Sequence, residues 1–272
     1  MMRLLQISDM HFGTEQAPVV RALRELALAE RPDVLVVSGD ITQRARESEF
    51  QQARAFCDSL GVPRMLALPG NHDIPLLNLA ARVFRPYAGY LRWFGPTLNP
   101  VIALPALLVL GVKTTRRWRH KNGEVSDRQI AEVSERLQQA SAAQLRVVVV
   151  HQPVHVLRQS DEHDRLRNWA PALRAWSAAG ADVVMGGHIH LPYVCELTGQ
   201  AGGLARRLWC VQAGTAVSSR IRQEAPNSVN LIDYQPQLQA CPCRVERWDF
   251  DAARGGFSQV KSTQLLLQRG TA

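Results

Sequence analysis

The sequence predicts an α/β fold, and two observations support that prediction. Short apolar runs rich in β-branched residues recur along the chain and are typical of buried strands. They are Leu4–Ser8, Val34–Ser38, Met65–Leu68, Val147–Val150 and Val183–Met185. Between the early runs the spacing predicts amphipathic helices, with apolar stripes at Val19, Leu23, Leu26 and Ala27 and at Phe50, Ala53, Phe56, Cys57 and Leu60. Alternating strands and helices are typical of layered α/β folds.

The later part of the chain continues the pattern and indicates a single domain. Leu208–Gln212, Val229–Asp233 and Val245–Phe250 are predicted strands of a second sheet. The chain has 272 residues, of which 46% are hydrophobic, so it can bury a full core. No linker or repeat interrupts it. We therefore predict one domain over residues 1–272.

Each of the first five apolar runs ends directly before a polar motif. The motifs are Asp9-Met10-His11, Gly39-Asp40, Gly70-Asn71-His72-Asp73, His151 and Gly187-His188-Ile189-His190. Because functional groups gather at the carboxyl ends of strands in such folds, we expect these side chains to converge. Carboxylate and imidazole ligands suit Mn, Fe and Zn, and two such ions about 3.5–4 Å apart can hold both reacting oxygens of a phosphoryl displacement. The motifs thus predict a two-metal hydrolytic site.

In this order the motifs resemble the D-x-H, G-D, G-N-H-D, H and G-H-x-H pattern of the calcineurin-like metallophosphoesterase superfamily, from Asp9 to His190. The resemblance implies a four-layer α/β/β/α sandwich, in which two stacked mixed sheets are flanked by helices. It also implies two metal sites that share a bridging Asp40. The ligands of one would be Asp9, His11, Asp40 and His190, and those of the other Asp40, Asn71, His151 and His188.

The same resemblance implies roles in catalysis. A hydroxide bridging the two ions would attack phosphorus, because metal coordination can lower the pKa of water from about 15.7 to about 7. His72, directly after the ligand Asn71, would face the substrate and protonate the leaving oxygen or stabilise charge. Asp73 would hold the His72 ring in its productive tautomer. Asn71, His72 and Asp73 are therefore the catalytic candidates.

Composition gives expectations about location. Five cysteines do not suggest a disulfide framework in a chain of this size, and Cys241-Pro242-Cys243 lacks the spacing of a zinc ribbon. The chain starts Met1-Met2-Arg3-Leu4 and runs directly into a predicted strand, so we expect no cleaved signal peptide. The uncharged stretch Thr97–Val112 contains prolines and is too short for a membrane span. These observations favour a cytoplasmic protein.

Two segments are candidates for specificity. The net charge of +8 includes a basic stretch, Arg116–Lys121, which can attract anionic phosphate esters, nucleic acid or an acidic membrane surface. Residues 74–100 form a broad apolar face with interleaved arginines. We predict a helical lid there. A homodimer surface, or a groove for a lipid-like phosphodiester in peripheral contact with a membrane, remain open.

Within the superfamily, the compact length and Gly70-Asn71-His72-Asp73 resemble class III cyclic nucleotide phosphodiesterases and related glycerophosphodiesterases. The predicted substrate is a small phosphodiester, with 3′,5′-cyclic AMP the first choice. One alternative is a DNA repair nuclease, which Asp9–Gly13 also resembles, although such enzymes usually add a DNA-facing domain. Another is a hydrolase of a lipid-linked diphosphate, although UDP-diacylglucosamine hydrolases carry Arg where this chain has His72. A non-catalytic scaffold would lack ligands that this chain retains.

Overall fold

The computed structural model describes residues 1–119, 121–198, 203–222, 225–236 and 242–268. In these residues the strands are β1 (Met2–Ile7), β2 (Val34–Val37), β3 (Met65–Ala67), β4 (Val101–Leu104), β5 (Leu107–Gly111), β6 (Leu145–Val149), β7 (Val183–Gly186), β8 (Tyr193–Glu196), β9 (Trp209–Gln212), β10 (Ser228–Tyr234), β11 (Cys243–Asp251) and β12 (Gly256–Leu265). The helices are α1 (Ala17–Glu30), α2 (Glu47–Ser59), α3 (Leu79–Phe84), α4 (Ala88–Phe94), α5 (Asp127–Gln138) and α6 (Trp169–Ala178), with a 3₁₀ helix at Gln159–Asp164.

The strands form two mixed sheets. The first has the order β12-β11-β10-β1-β2-β3, and the second has the order β4-β5-β6-β7-β9-β8. Strands β1, β2 and β3 are parallel to one another, as are β5, β6, β7 and β9. The parallel strands β1, β2, β6 and β7 therefore lie inside their sheets, where a continuous apolar run is buried on both faces, whereas β3 is an edge strand.

Successive side chains of a strand point to opposite faces of the sheet, so alternate residues pack in different layers of the protein. In β1 and β2, Leu4, Val34 and Val36 pack in a core cluster shared with the second sheet. Their neighbours Leu5, Leu35 and Val37 pack instead with α1 and α2. Helices α5 and α6 cover the outer face of the second sheet. Two stacked mixed sheets flanked by helices confirm the predicted α/β/β/α sandwich.

The predicted lid at residues 74–100 contains two short helices that differ in burial. Tyr90 and Phe94 of α4 are buried, and the Phe94 ring lies 6.5 Å from that of Phe50 in α2. Helix α3, in contrast, has no buried residue. Among the described residues, no helix is long and apolar enough to cross a bilayer.

The predicted core cysteines Cys57 and Cys210 are both buried. Cys243 is buried as well, whereas Cys241 of the predicted turn lies outside the described residues.

A partly buried ion pair joins the start of β1 to β10 and predicts a pH-dependent stability. Arg3 binds Asp233 with two hydrogen bonds, of 2.7 and 2.9 Å, and Arg244 adds a third of 2.9 Å. Burial alone would raise the pKa of Asp233, but the hydrogen bonds from Arg3 and Arg244 lower it below its ordinary value. We expect Asp233→Asn to lower the free energy of unfolding at pH 7 by about 1.5–3 kcal/mol, the usual contribution of hydrogen bonds to charged groups.

The sign of the pH effect follows from the lowered pKa. The stabilisation is fully present above the unfolded pKa of about 3.9 and is lost as the pH falls through the lower folded value. Urea unfolding with EDTA at pH 7 and pH 3 should therefore show the difference between wild type and variant shrinking in acid. Asp251→Asn, at a more exposed pair with Arg254, is the matched control and should change stability little. A difference that is equal at both pH values would contradict the assignment.

Candidate dinuclear metal centre

The carboxyl ends of five strands bring the predicted ligands together. The first sheet contributes the residues after β1, β2 and β3, and the second sheet contributes those after β6 and β7. A hydrogen bond joins the loop after β1 to the loop after β7 and so connects the two sheets at this edge. In it, the His188 backbone N–H donates to Asp9 Oδ2 over 2.9 Å. All seven predicted ligands are found at this junction, namely Asp9, His11, Asp40, Asn71, His151, His188 and His190.

The backbone at the junction is strained in a way that ordinary turns are not. Left-handed φ values, between 43° and 74°, occur at five of the seven predicted ligands, which are Asp9, His11, Asp40, His188 and His190. Non-glycine residues rarely adopt this conformation, and such outliers cluster at functional sites. The sharp turn after each strand directs the polar side chain back across the strand end.

Two glycines of the motifs leave space for these side chains. A Cβ atom on Gly70 would lie 2.1 Å from the backbone nitrogen and from Oδ1 of Asp40. A Cβ atom on Gly39, whose φ is 109°, would lie 2.2 Å from Nδ1 of His151. No real side chain fits at such distances, so the motifs need glycine for packing of the ligands.

The first group of donors is Asp9, His11 and His190. The Nε2 atoms of His11 and His190 face each other at 3.1 Å, and Asp9 Oδ1 lies 3.3 Å from His190 Nε2. His190 Nδ1 is 2.5 Å from the Arg220 carbonyl, so the proton of a neutral ring is on Nδ1 and Nε2 keeps a lone pair. Asp9 Oδ1 is buried and has no hydrogen-bond partner among the described residues. These orphaned acceptors fit a metal cation.

The second group is Asp40, His151 and His188. His151 Nδ1 faces the Ser38 carbonyl at 2.9 Å, which leaves Nε2 directed at Asp40 Oδ1 and Asn71 Oδ1, at 3.4 and 3.2 Å. His188 Nδ1 is buried without a hydrogen-bond partner in the described part of the chain. In the neutral imidazoles these nitrogens carry lone pairs, which fit a cation.

Asp40 lies between the two groups. Its Oδ1 is 3.4 Å from His151 Nε2, and its Oδ2 is 3.7 Å from His11 Nε2. This is the position that a carboxylate shared by two ions requires.

The electrostatics favour the ligand forms of these side chains. Burial alone would raise the pKa of Asp9, but His190 lowers it to about 2. Burial likewise opposes ionisation of Asp40, whereas His151 and other neighbouring histidines hold its pKa well below the ordinary range. Burial lowers the pKa of His11 to about 3, which keeps that imidazole neutral. The site therefore presents two carboxylates and a neutral imidazole at pH 7.

His151 shows how strongly this site attracts positive charge. Burial would lower its pKa, yet Asp40 raises it to about 9. The negative charge that stabilises a proton on His151 is the same charge that attracts a metal cation.

His72 lines the opening of the centre. Its Nδ1 is 3.0 Å from the Gln43 carbonyl, which places the proton of a neutral ring on Nδ1. Its backbone N–H donates to Asp40 Oδ1, and its ring lies perpendicular to that of His11 with the centroids 4.7 Å apart. His72 also lines a cavity of about 300 Å³ together with Asp40, Asn71, His188 and His190.

The structure corrects the role predicted for Asp73. Its carboxylate accepts hydrogen bonds from the backbone N–H groups of Ile41, Thr42 and Gly70 and from the Thr42 hydroxyl. The contact that orients the His72 ring is made by the Gln43 carbonyl, so the prediction that Asp73 makes it is wrong. Asp73 instead ties the loop after β2 to the loop after β3, because short backbone turns there leave N–H groups that need an acceptor.

A comparison with models of protein families shows the family to which the chain belongs. The model of the calcineurin-like phosphoesterases matches residues 2–192. The chain belongs to the calcineurin-like phosphoesterase family. This confirms the predicted family and makes the chain a metal-dependent phosphoester hydrolase of a dinuclear family.

The individual proteins that resemble this phosphoesterase match it over part of their length or at low sequence identity. The glycerophosphodiester phosphodiesterase GpdQ of Enterobacter lignolyticus is 41% identical over 85 residues, a match that covers 26% of this chain and only 30% of that protein. A dimetal phosphatase from Danio rerio superimposes with a TM-score of 0.62 at 15% identity, covering 98% of this chain and 99% of the other. The purple acid phosphatase PPD1 of yellow lupin gives 0.70 at 13% identity, covering 97% and 53%. The structural similarities show the shared fold.

The phosphoesterase places two side chains at the centre that the motifs did not reveal. Arg220 Nη1 lies 3.2 Å from His72 Nε2 and donates to Gln43 Oε1 over 3.0 Å. Asp164 Oδ1 lies 3.4 Å from His188 Nε2. Arg220 lies in a loop and Asp164 ends the 3₁₀ helix, and neither belongs to a strand-end motif, so only their charge could have drawn attention to them.

The basic stretch Arg116–Lys121 contributes little to this cavity. Arg116 donates to Gln129, Arg117 to the Val83 carbonyl, and Arg119 to Glu124. Among the described residues of the stretch, Lys121 lines the cavity, whereas His120 lies outside the described residues.

Asp164 predicts a measurable effect on metal affinity. Asp164 Oδ1, which lies 3.4 Å from His188 Nε2, favours a proton on that nitrogen and so leaves the lone pair on the buried Nδ1. Groups that orient a ligating histidine in this way typically change metal affinity 10- to 100-fold. We expect Asp164→Ala to weaken binding of one of two Mn²⁺ ions by about that factor in calorimetric titration. Glu162→Ala, which removes an exposed carboxylate of the same 3₁₀ helix, should leave both affinities unchanged. Wild-type affinities in the Asp164 variant would contradict this role.

Proposed function

We propose that this phosphoesterase hydrolyses a small phosphodiester, with 3′,5′-cyclic AMP as the first substrate to test and glycerophosphodiesters beside it. The main support is the set of seven donors around Asp40, which opens beside His72 into a cavity of about 300 Å³. That volume suits a phosphoryl group with a small ester group. Similarity to a glycerophosphodiester phosphodiesterase supports the diester class.

Asp9, His11, Asp40 and His190 would hold one ion, and Asp40, Asn71, His151 and His188 the other. When bound, the ions would polarise the phosphoryl group and lower the pKa of the attacking water. Mn, Fe and Zn all suit this mixed donor set.

His72 and Arg220 act on the substrate itself in this proposal. When protonated at Nε2, His72 can give that proton to the leaving oxygen while Nδ1–H stays bonded to the Gln43 carbonyl. Arg220, whose Nη1 is 3.2 Å from that nitrogen, can donate to an anionic phosphoryl oxygen at the same place. Lys121, across the cavity, adds positive charge for an anionic substrate.

A turnover screen of the Mn-loaded protein tests this function. The substrates are 3′,5′-cyclic AMP, 3′,5′-cyclic GMP, glycerophosphodiesters, single-stranded DNA and a lipid-linked diphosphate. We expect the highest kcat/KM on a small diester and complete loss with EDTA. If the metal-loaded protein turns over none of the diesters, the proposal fails.

The alternative of a DNA nuclease makes a different prediction about salt. Arg116, Arg117 and Arg119 are held by contacts within the protein, which leaves few cations for phosphate contacts. We expect DNA binding to be weak, with a log–log salt slope below about two in magnitude. A slope of several units together with metal-dependent cleavage would favour the nuclease.

A cytoplasmic location and a homodimer stay predictions of the sequence.

A further inference from the structure

Helix α3 and the residues just before it, Leu76 and Leu77, present an apolar surface near the metal centre. Leu77, Leu79 and Phe84 expose 87%, 70% and 80% of their surface, and Leu76 and Val83 are exposed as well. The helix has no buried residue, so these side chains do not serve the core. Large apolar side chains gathered on a protein surface usually mark a binding site.

A cavity lies against this helix. It has a volume of about 800 Å³, and its apolar walls include Ala45, Pro75, Leu76, Leu77 and Ala81. We call it the annex. Small side chains at Ala45 and Ala81 leave the space open, and the volume falls in the range of about 300–1,000 Å³ that is typical of small-molecule sites.

The annex adjoins the centre through shared lining residues. A smaller cavity of about 170 Å³ is lined by Asn71, His72 and Arg220, which also line the cavity of the centre, and by Arg44 and Leu76. Arg44 and Leu76 also line the annex. A molecule held at His72 can therefore extend past these two residues into the annex.

We infer that the annex binds an apolar arm of the substrate, an alkyl or acyl chain esterified to the phosphoryl group that reacts at His72. This inference rests on the proposed phosphodiesterase function and specifies its substrate class. Charge and polarity support one such occupant. Arg220 and Arg44 both line the smaller cavity, where an anionic phosphodiester would lie. Beyond it, the annex walls combine a larger apolar part with the polar residues Arg46, Glu47 and Asn78. An amphiphilic phosphodiester has the same order of groups.

A series of p-nitrophenyl alkyl phosphates tests the inference on the wild-type enzyme. The alkyl group is methyl, butyl or octyl, and p-nitrophenolate is the leaving group throughout. Burial of each methylene should lower KM by up to about fourfold until the annex is filled. Binding that is equal in the ground and transition states lowers KM with little change in kcat. An unchanged KM from methyl to octyl would overturn the inference.

Two tryptophan variants in α3 test whether the preference for a long alkyl group arises in the annex. Ala81→Trp fills the annex, whereas Ala80→Trp puts the same ring on an exposed residue next to it that does not line the annex. We expect Ala81→Trp to abolish the preference for octyl over methyl and Ala80→Trp to keep it. Circular dichroism melting checks the folding of both. An octyl preference that survives in a folded Ala81→Trp variant would show that the alkyl group binds outside the annex and would overturn the inference.

Direct binding separates this inference from the proposed function. Calorimetric titration with octyl and methyl esters of methylphosphonate needs no turnover, and we expect only wild type and Ala80→Trp to bind the octyl ester more tightly. If no alkyl phosphate is hydrolysed, the proposed function fails, and the titration still tests the annex. If all are hydrolysed with equal KM, the function stands and the annex inference fails. In that case, a dimer in sedimentation or binding to anionic vesicles would assign this face to a second copy or to a membrane.

Discussion

Replacing Asp40 with asparagine should abolish activity, with a loss of kcat of at least about 10³-fold, or about 4 kcal/mol of activation free energy. Its two carboxylate oxygens lie 3.4 Å from His151 Nε2 and 3.7 Å from His11 Nε2, so one residue serves both donor groups. An amide keeps the size of the side chain but removes the negative charge. We therefore expect metal analysis to find fewer than two ions per chain at Mn²⁺ concentrations that saturate the wild type.

The matched control is Asp58→Asn, which makes the same change at an exposed residue paired with Arg54 on α2. It should retain full activity and two ions. Turnover near the wild-type value with two bound ions in the Asp40 variant would end the two-metal assignment. Thermal melting of both variants with EDTA separates loss of metal from loss of fold.

The second large effect concerns His72, which lies beside the ligands and faces the cavity. His72→Ala should keep both ions yet lose about 10²- to 10⁴-fold in kcat on diesters with poor leaving groups, as is typical for a positioned general acid. A nitrophenolate leaves with little need for a proton, so activated aryl diesters should lose much less. The measurement is the ratio of the two losses, with the metal content determined in the same sample.

Arg220→Ala is the comparison variant, because the Nη1 atom of Arg220 lies only 3.2 Å from His72 Nε2. A guanidinium that binds phosphoryl oxygens should slow both substrates by a similar factor. Equal losses in His72→Ala would exclude leaving-group protonation and assign it charge stabilisation. Loss of an ion in that variant would make His72 a ligand, which its proximity to His11 and Asp40 allows.

The sequence predicted the parallel strands before the motifs well because their physical signal is strong. A parallel strand buried on both faces reads as a continuous apolar run. β1, β2, β6 and β7 have such a run inside their sheets, and β3 has one at a sheet edge. β12 shows the opposite case, because it is an edge strand with a mostly polar and exposed sequence. β4 is a partly exposed apolar run of four residues with no polar motif after it, so its sequence did not distinguish it.

The same reasoning explains the site. Donor residues at strand ends can be predicted, because the topology of the sheets fixes where strand ends lie. The positions of Arg220 and Asp164 depend on how two long loops fold back over those ends, which no local pattern encodes. The role of Asp73 was wrong for a related reason. A carboxylate next to a histidine in sequence need not face its ring, and here unpaired backbone N–H groups attract it instead.

The division of the donors between the two sheets has a consequence for assembly of the protein. Asp9, His11, Asp40 and Asn71 follow strands of the first sheet, and His151, His188 and His190 follow strands of the second. Each ion in the assigned sets therefore needs ligands from both sheets. With these sets, neither sheet alone would offer a complete binding site, and metal would bind only to the stacked pair. We therefore expect bound ions to hold the two sheets together, so that the melting temperature rises with the logarithm of free Mn²⁺ concentration once it exceeds Kd.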